Sequence, residues 1–310
     1  MQEKLLQRFL RYVAVPSQSN AANANVPSSE GQRKLAELLK QDLAELGLVD
    51  LEISEYSVLT GKLPAYLPEG CTKEVPAVGW CAHLDTIDIN MSPEIHPQVV
   101  KNYQGGDVCL NKEKDIWIRT AEHPELEKYV GEDIVFTDGT SVLGADNKAA
   151  IANIMVALET IVNEKRCHGD IYVAFVPDEE IGLRGSKKMD FSKFPVKFAY
   201  TIDCCELGEV VYQTFNAGTA IVKIKGVSAH PMSAKGVLIN PTLLAVDLVN
   251  MFDRTQTPEC TEGTEGYIWV KSIVSNDTYA TVTLDIRDHN KKRYEERKAE
   301  IAANGYDLSI

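Results

Sequence analysis

Four short stretches carry the residue types that metal and proton chemistry require. The apolar run VGWCA at 78–82 leads into His83-Leu84-Asp85, and along an extended chain residues two apart share a face, so His83 and Asp85 point the same way. An imidazole with a carboxylate two residues on is either part of a metal site or a satisfied surface pair. The second stretch, TDGTSVLGADNKAA at 137–150, puts Asp146 after a glycine-bearing loop and at the start of a helix. There it is either a ligand or a plain helix N-cap. The third, DIYVAFVPDEEIG at 170–182, reads as a buried strand that breaks at Pro177 and delivers Asp178, Glu179 and Glu180 in a row. Adjacent glutamates repel each other, and acids at the mouth of a core are costly unless a positive charge is held there. The fourth, FAYTID at 198–203, brings Asp203 to the end of another strand.

These residues need a scaffold that gathers strand ends. Leu5, Leu6, Phe9, Leu10 and Val13 give a first helix over 2–13, and Leu35, Leu38, Leu39 and Leu43 a second over about 30–46, stopped at Gly47. Strands are expected at 50–57, 77–82, 170–176 and 198–203, a helix at 147–164, and a hairpin within the polar insertion at 90–140. Alternating strands and helices make an α/β domain around a central sheet. His83 and the acids then fall at or just past the carboxyl ends of strands, the crevice in which open α/β sheets hold ligands. One divalent ion would account for all of them and two would do so better; a carboxylate-rich set with few nitrogens suits paired zinc, manganese or cobalt.

The character changes after Asn216. GTAIVKIKG alternates like a half-exposed strand, a helix follows at about 239–253, then strands at 266–275 and 279–287, then the charged helix NKKRYEERKAEIAA. That βαββα order is a ferredoxin-like half-sandwich without its closing strand. The expected division is therefore 1–215 for the α/β domain that carries these residues and 216–310 for a second, α+β domain.

A net charge of −13 argues against nucleic acid, which needs a clustered basic surface, and suits metal ions or free amino termini. No apolar run approaches the ~20 residues of a membrane span. The amphipathic start MQEKLLQRFLRYVAV is neither a secretory signal nor a transit peptide. Seven cysteines include no CxxC pair, and the vicinal Cys204 and Cys205 are poorly placed for a framework disulfide, so a cytoplasmic, reducing setting is expected.

The motifs HLD, GADNKAA and PDEE, with Asp203 behind them, resemble the dinuclear zinc exopeptidases related to carboxypeptidase G and aminoacylase. Longer stretches narrow the resemblance: VPSSEGQ, NYQGGD, TDGTSVLGADNKAA, HGDIYVAFVPDEEIG, AHPMSAKGVLINP and PECTEGTEGY are similar to the peptidase T family of tripeptide aminopeptidases, across essentially the whole chain. The resemblance implies two zinc ions (Zn2+) and a tripeptide substrate. It makes Glu179 the general acid/base, Glu180 a ligand of one metal, Asp146 the bridge, His83 and Asp203 ligands of the other metal, and Asp85 the residue that orients the histidine. His230, in VSAHP, is either an ordinary loop histidine or, as the resemblance implies, one that reaches the substrate oxygen, commonly across a dimer formed through the second domain. The resemblance thus makes 1–215 the catalytic domain and 216–310 a lid and dimerisation domain. Arg287, in DIRDHN, is placed either to grip a substrate carboxylate or to form a structural salt bridge. Asn147 stands where the family often has a second acid that is not a ligand.

In the family the chain returns to the catalytic domain and supplies a glycine-rich loop and a last histidine ligand. Here the sequence ends at Ile310, and His96, His123, His168 and His289 lie in no matching motif, so a C-terminally truncated form is expected, with both domains incomplete. Two other readings accompany the aminopeptidase. One is a silent remnant that binds a single metal through His83, Asp146 and Asp203; the other is a related dipeptidase or N-acyl amino acid deacylase.

Overall fold

The computed structural model describes residues 1–203 and 206–306; Cys204 and Cys205 lie outside them. The chain divides into two compact units, Met1–Glu206 and Leu207–Ile310.

The first unit contains, in chain order, α1 (Gln2–Val13), α2 (Glu30–Glu45), β1 (Val49–Ile53), β2 (Leu59–Leu63), β3 (Val78–His83), β4 (Pro97–Val100), β5 (Val108–Asn111), β6 (Ile116–Ile118), β7 (Ile134–Thr137), α3 (Ala145–Asn163), β8 (Ile171–Val176) and β9 (Phe198–Thr201). Its main sheet is mixed, in the order β1-β2-β8-β3-β9. The centre of that sheet is parallel, with β3 between β8 and β9, while β2 runs antiparallel to both β8 and β1. Register pairs His83 with Val176, so β3 and β8 end level and the loops leaving them emerge at the same edge. The core is built by Tyr12 and Val13 of α1, Leu35, Leu39 and Leu43 of α2, and Ile151, Ile154, Met155 and Leu158 of α3, packed with Val173 and Phe175 of β8.

Two expectations are corrected here. The single strand over 50–57 is two: the chain turns through Ser57, at φ +62°, and β2 returns beside β1. LTGKL is almost wholly buried, so it lacks the alternation that marks a one-sided strand, and Gly61 leaves the space that Leu51 fills. The single hairpin in the insertion is two antiparallel ribbons, β5-β6 and β4-β7, around a small core of Tyr103, Val108, Leu126 and Phe136.

The second unit contains β10 (Asn216–Lys225), α4 (Pro241–Asn250), β11 (Tyr267–Ser275), β12 (Tyr279–Asp288) and α5 (Lys291–Tyr306), the expected βαββα order. Its antiparallel sheet runs β10-β12-β11 and packs Ile268, Val282, Leu284 and Ile286 against Ala245, Leu248 and Ile301 of the helices. α4 starts at Pro241 because the Asn240 side chain accepts from the amides of Thr242 and Leu243, at 3.0 and 3.4 Å.

Among the described residues no helix is long and apolar enough to cross a membrane. Cys71, Cys81, Cys109, Cys167 and Cys260 are free thiols.

Candidate metal centre

β3 delivers His83 to the carboxyl end of the sheet with its ring 2% exposed. Nε2 lies 2.8 Å from Asp146 Oδ1 and 3.3 Å from Asp203 Oδ1, so it faces the gap between those carboxylates. Nδ1 lies 2.9 Å from the carbonyl oxygen of Asp85 and 3.4 Å from its carboxylate. The ligand atoms of His83, Asp146 and Asp203 fall within 4.8 Å of one another, and so do those of His83, Glu179 and Glu180. One imidazole thus belongs to both groupings.

Asp146 is not a helix cap. The capping position of α3 is Gly144, and Asp146 and Asn147 have non-helical backbone inside the first turn, with a cis peptide between them. The Asp146 side chain is 66% exposed and open to a ligand. Its origin also corrects the expectation that all the acids fall at strand ends. His83, the two glutamates and Asp203 belong to the ends of β3, β8 and β9, whereas Asp146 lies in the first turn of α3, beyond the loop that follows β7.

Three residues do more than the sequence suggested. The Asp85 carboxylate, fully buried, accepts the backbone amides of Glu179 at 2.9 Å and Glu180 at 3.1 Å. Asp85 therefore ties the end of β3 to the loop after β8 as well as touching His83. Asn147 donates its Nδ2 to Asp203 Oδ1 at 3.0 Å, a role that no local pattern indicates. Asp178 turns away from the cluster. It adopts φ +54°, is fully buried, and accepts from Ser28 N at 2.8 Å, Ser28 Oγ at 2.5 Å and Gln32 Nε2 at 2.7 Å. Of the three consecutive acids, then, two face the centre and the first anchors the turn that carries them.

The electrostatics describe a site short of positive charge. Burial alone would depress the His83 imidazole, but its contacts with Asp203 and Asp85 prevail and raise it to about 11. Burial, reinforced by the Asp146 charge, pushes Glu180 up to about 7. Burial also pushes Glu179 up, the His83 charge opposing and Asp203 and Asp85 adding. Lys148 supplies no relief: burial lowers its ammonium to about 7, and Nζ donates instead to the Val15 carbonyl at 2.8 Å. Carboxylates gathered round one imidazole form a donor set that fits divalent ions of the zinc, manganese or cobalt kind.

The remaining two candidates lie in the second unit. His230 is exposed after β10, where its Nδ1 accepts the Met232 amide at 3.3 Å. Arg287, near the end of β12, stacks its guanidinium on the Phe215 ring, 4.8 Å from the centroid. It lines a cleft of about 380 Å³ with Phe215, Tyr267 and His289, whose buried Nδ1 has no hydrogen-bond partner among the described residues.

A mixed α/β sheet that gathers an imidazole and carboxylates at one edge, in a chain with a separate βαββα unit, defines a metal-binding α/β protein. Residues 212–304 match the peptidase dimerisation domain model, and residues 120–238 match the M42 glutamyl aminopeptidase model. A peptidase T-like protein of Rhizobium meliloti (strain 1021) is 52% identical over 303 residues, which is 98% of this chain and 72% of that protein. The peptidase T of Fusobacterium nucleatum is 42% identical over 295 residues, 95% of this chain and 70% of that one. The chain belongs to the peptidase T family. Among solved structures, a tripeptidase from Staphylococcus aureus has a TM-score of 0.72 at 20% identity, covering 100% of this chain and 73% of that one. The aminopeptidase PepT of Bacillus cereus has a TM-score of 0.69 at 19% identity, covering 98% and 71%. At those identities the two structures speak for the fold.

Proposed function

We propose that this chain is a metal-dependent aminopeptidase that removes the N-terminal residue of tripeptides, working with zinc in the cytoplasm. The observation that carries the reading is the convergence of His83, Asp146, Asp203, Glu179 and Glu180, in a member of the peptidase T family. The free thiols suit a reducing compartment.

His83 and Asp203 would hold one metal ion, Glu180 the other, and Asp146 both. When bound, zinc draws electron density from the scissile carbonyl and makes a water acidic enough to lose its proton near neutrality. Glu179 takes that proton on its carboxylate and passes it to the nitrogen of the leaving amine. Asp85 keeps Glu179 on station through the amide it accepts and holds His83 from the opposite side. The carboxylate rim attracts the ammonium of a free N-terminus, in keeping with an overall charge of −13.

The test is hydrolysis of a free tripeptide, its N-acetylated form, a dipeptide and an N-acyl amino acid, with zinc supplied and then chelated. Release of the first residue from the free tripeptide alone, lost on chelation and restored by zinc, is the expected result. Preference for the dipeptide or the acyl amino acid would make this a sister hydrolase. Zinc binding with no turnover of any substrate would make it a binding remnant.

The second unit is assigned substrate contacts and a homodimer interface, the latter in line with its match to a dimerisation domain. Arg287 grips the substrate's C-terminal carboxylate, and His230 of one protomer reaches the carbonyl oxygen in its partner's site. Arg287→Ala should then raise KM about tenfold at nearly constant kcat, the worth of one hydrogen bond to a charged group. His230→Ala should act mainly on kcat. Sedimentation velocity that finds only monomer would remove the shared site, and an unchanged KM in Arg287→Ala would remove the carboxylate grip.

A further inference from the structure

The polar segment between α1 and α2, which by its composition is a mere connector, touches both strand ends that carry the centre. On the β3 side, Ser17 Oγ donates to the Leu84 carbonyl at 2.7 Å and Ser19 N donates to the Thr86 carbonyl at 3.0 Å. On the β8 side, Ser28 and Gln32 close on the Asp178 carboxylate, and the Asp178 amide donates back to Gln32 Oε1 at 2.9 Å. Ser28 is 3% exposed, and Gln32 and Asp178 are fully buried. Gly31 permits this approach: a Cβ there would fall 1.6 Å from the Pro16 carbonyl oxygen. Farther out, the Arg184 guanidinium donates to the carbonyls of Asn23 and Ala21, at 2.6 and 3.1 Å, holding the same segment to the turn beyond Glu180.

A buried carboxylate with three donors is costly to assemble and costly to break. It also lies immediately before Glu179, at a residue whose left-handed backbone must be held by its surroundings. We infer that Asp178, clamped by Ser28 and Gln32, is a positioning residue for the reaction. It sets the backbone from which Glu179 and Glu180 project, while Asp85 accepts their amides from the other side. The turn is therefore gripped at both ends by carboxylates that bind no substrate. This inference rests on Glu179 being the proton carrier, but its structural half does not.

Asp178→Asn is nearly isosteric and places an amide N–H against donors. Hydrogen exchange at the Glu179 and Glu180 amides should rise about tenfold or more, while the amides of β8 and α3 keep their protection. With tripeptide and saturating zinc, kcat should fall about tenfold or more with KM little changed, since misplacement of a catalytic group acts on the chemical step. The decisive control is Asp178→Asn combined with Gln32→Glu. The new amide then donates and the new carboxylate accepts, the Ser28 hydroxyl turns to suit them, and the charge and volume of the wild type return. Exchange and kcat should both recover. Ser28→Ala, which removes one donor and leaves the fold least disturbed, should show the same exchange pattern in weaker form.

Unchanged exchange at Glu179 and Glu180 in Asp178→Asn, or a double variant worse than the sum of its parts, would overturn the inference. So would an equal rise across the whole unit, which marks a folding role only. Exchange is read without substrate. A chain that shows the exchange pattern and its rescue but cleaves no peptide would therefore refute the proposed function and leave the clamp standing.

Discussion

Glu179→Gln lowers kcat for tripeptide cleavage by about 10²–10⁴-fold and leaves bound metal where it was. The substitution keeps the shape of the side chain, and the Glu179 backbone amide still donates to Asp85, so the turn keeps its course. The loss is that of a carboxylate able to take a proton from water and return it to the leaving amine. Glu180 cannot simply replace it. The two neighbours project from consecutive residues, and in the proposed division Glu180 is occupied as a ligand. The paired variant Glu180→Gln is thus the sharp comparison, because it should lose metal where Glu179→Gln keeps it. Steady-state kinetics beside elemental analysis separates the two. Wild-type kcat in Glu179→Gln would take that residue out of the chemistry, and metal loss in both variants alike would mean that the two glutamates share one role.

Much of this centre is readable because its residues sit where strands end. β8 is a continuous apolar run closed by a proline, so the acids after it stand out without any structure. β3 likewise ends on its histidine, and the level register of β3 with β8 brings the two signals together. The features that escape the sequence depend on distance along the chain. Asp178 meets Ser28 and Gln32 across some 150 residues, and Asn147 meets Asp203 across 56, spans over which no local periodicity carries information. Without those partners, three consecutive acids read as three equivalent acids. β2 is hidden for another reason: burial on both faces removes the alternation by which a strand is recognised. The role of Asp85 is half legible. A shared face with His83 comes from spacing, but the two amides it accepts come from a different strand end.

The second large effect falls on His83, the one nitrogen donor in either candidate grouping. His83→Ala should weaken zinc binding more than about 100-fold, since even partners that only orient a ligand cost 10–100-fold when removed. Nε2 lies between Asp146 and Asp203, and Nδ1 faces Asp85, so the ring separates carboxylates that would otherwise confront one another across a gap. Its removal takes away the nitrogen donor and leaves only carboxylates around the gap, a poorer pocket for a zinc-type ion. Hydrolysis should fall with metal content and return in part at high zinc, because Asp146, Asp203, Glu179 and Glu180 are still present. Glu179→Gln, by contrast, should not respond to added zinc. That difference separates a ligand from a proton carrier by a simple titration. If His83→Ala kept its full zinc content after dialysis, the metal would have to lie away from the end of β3, and the roles assigned to Asp146 and Asp203 would fall with it.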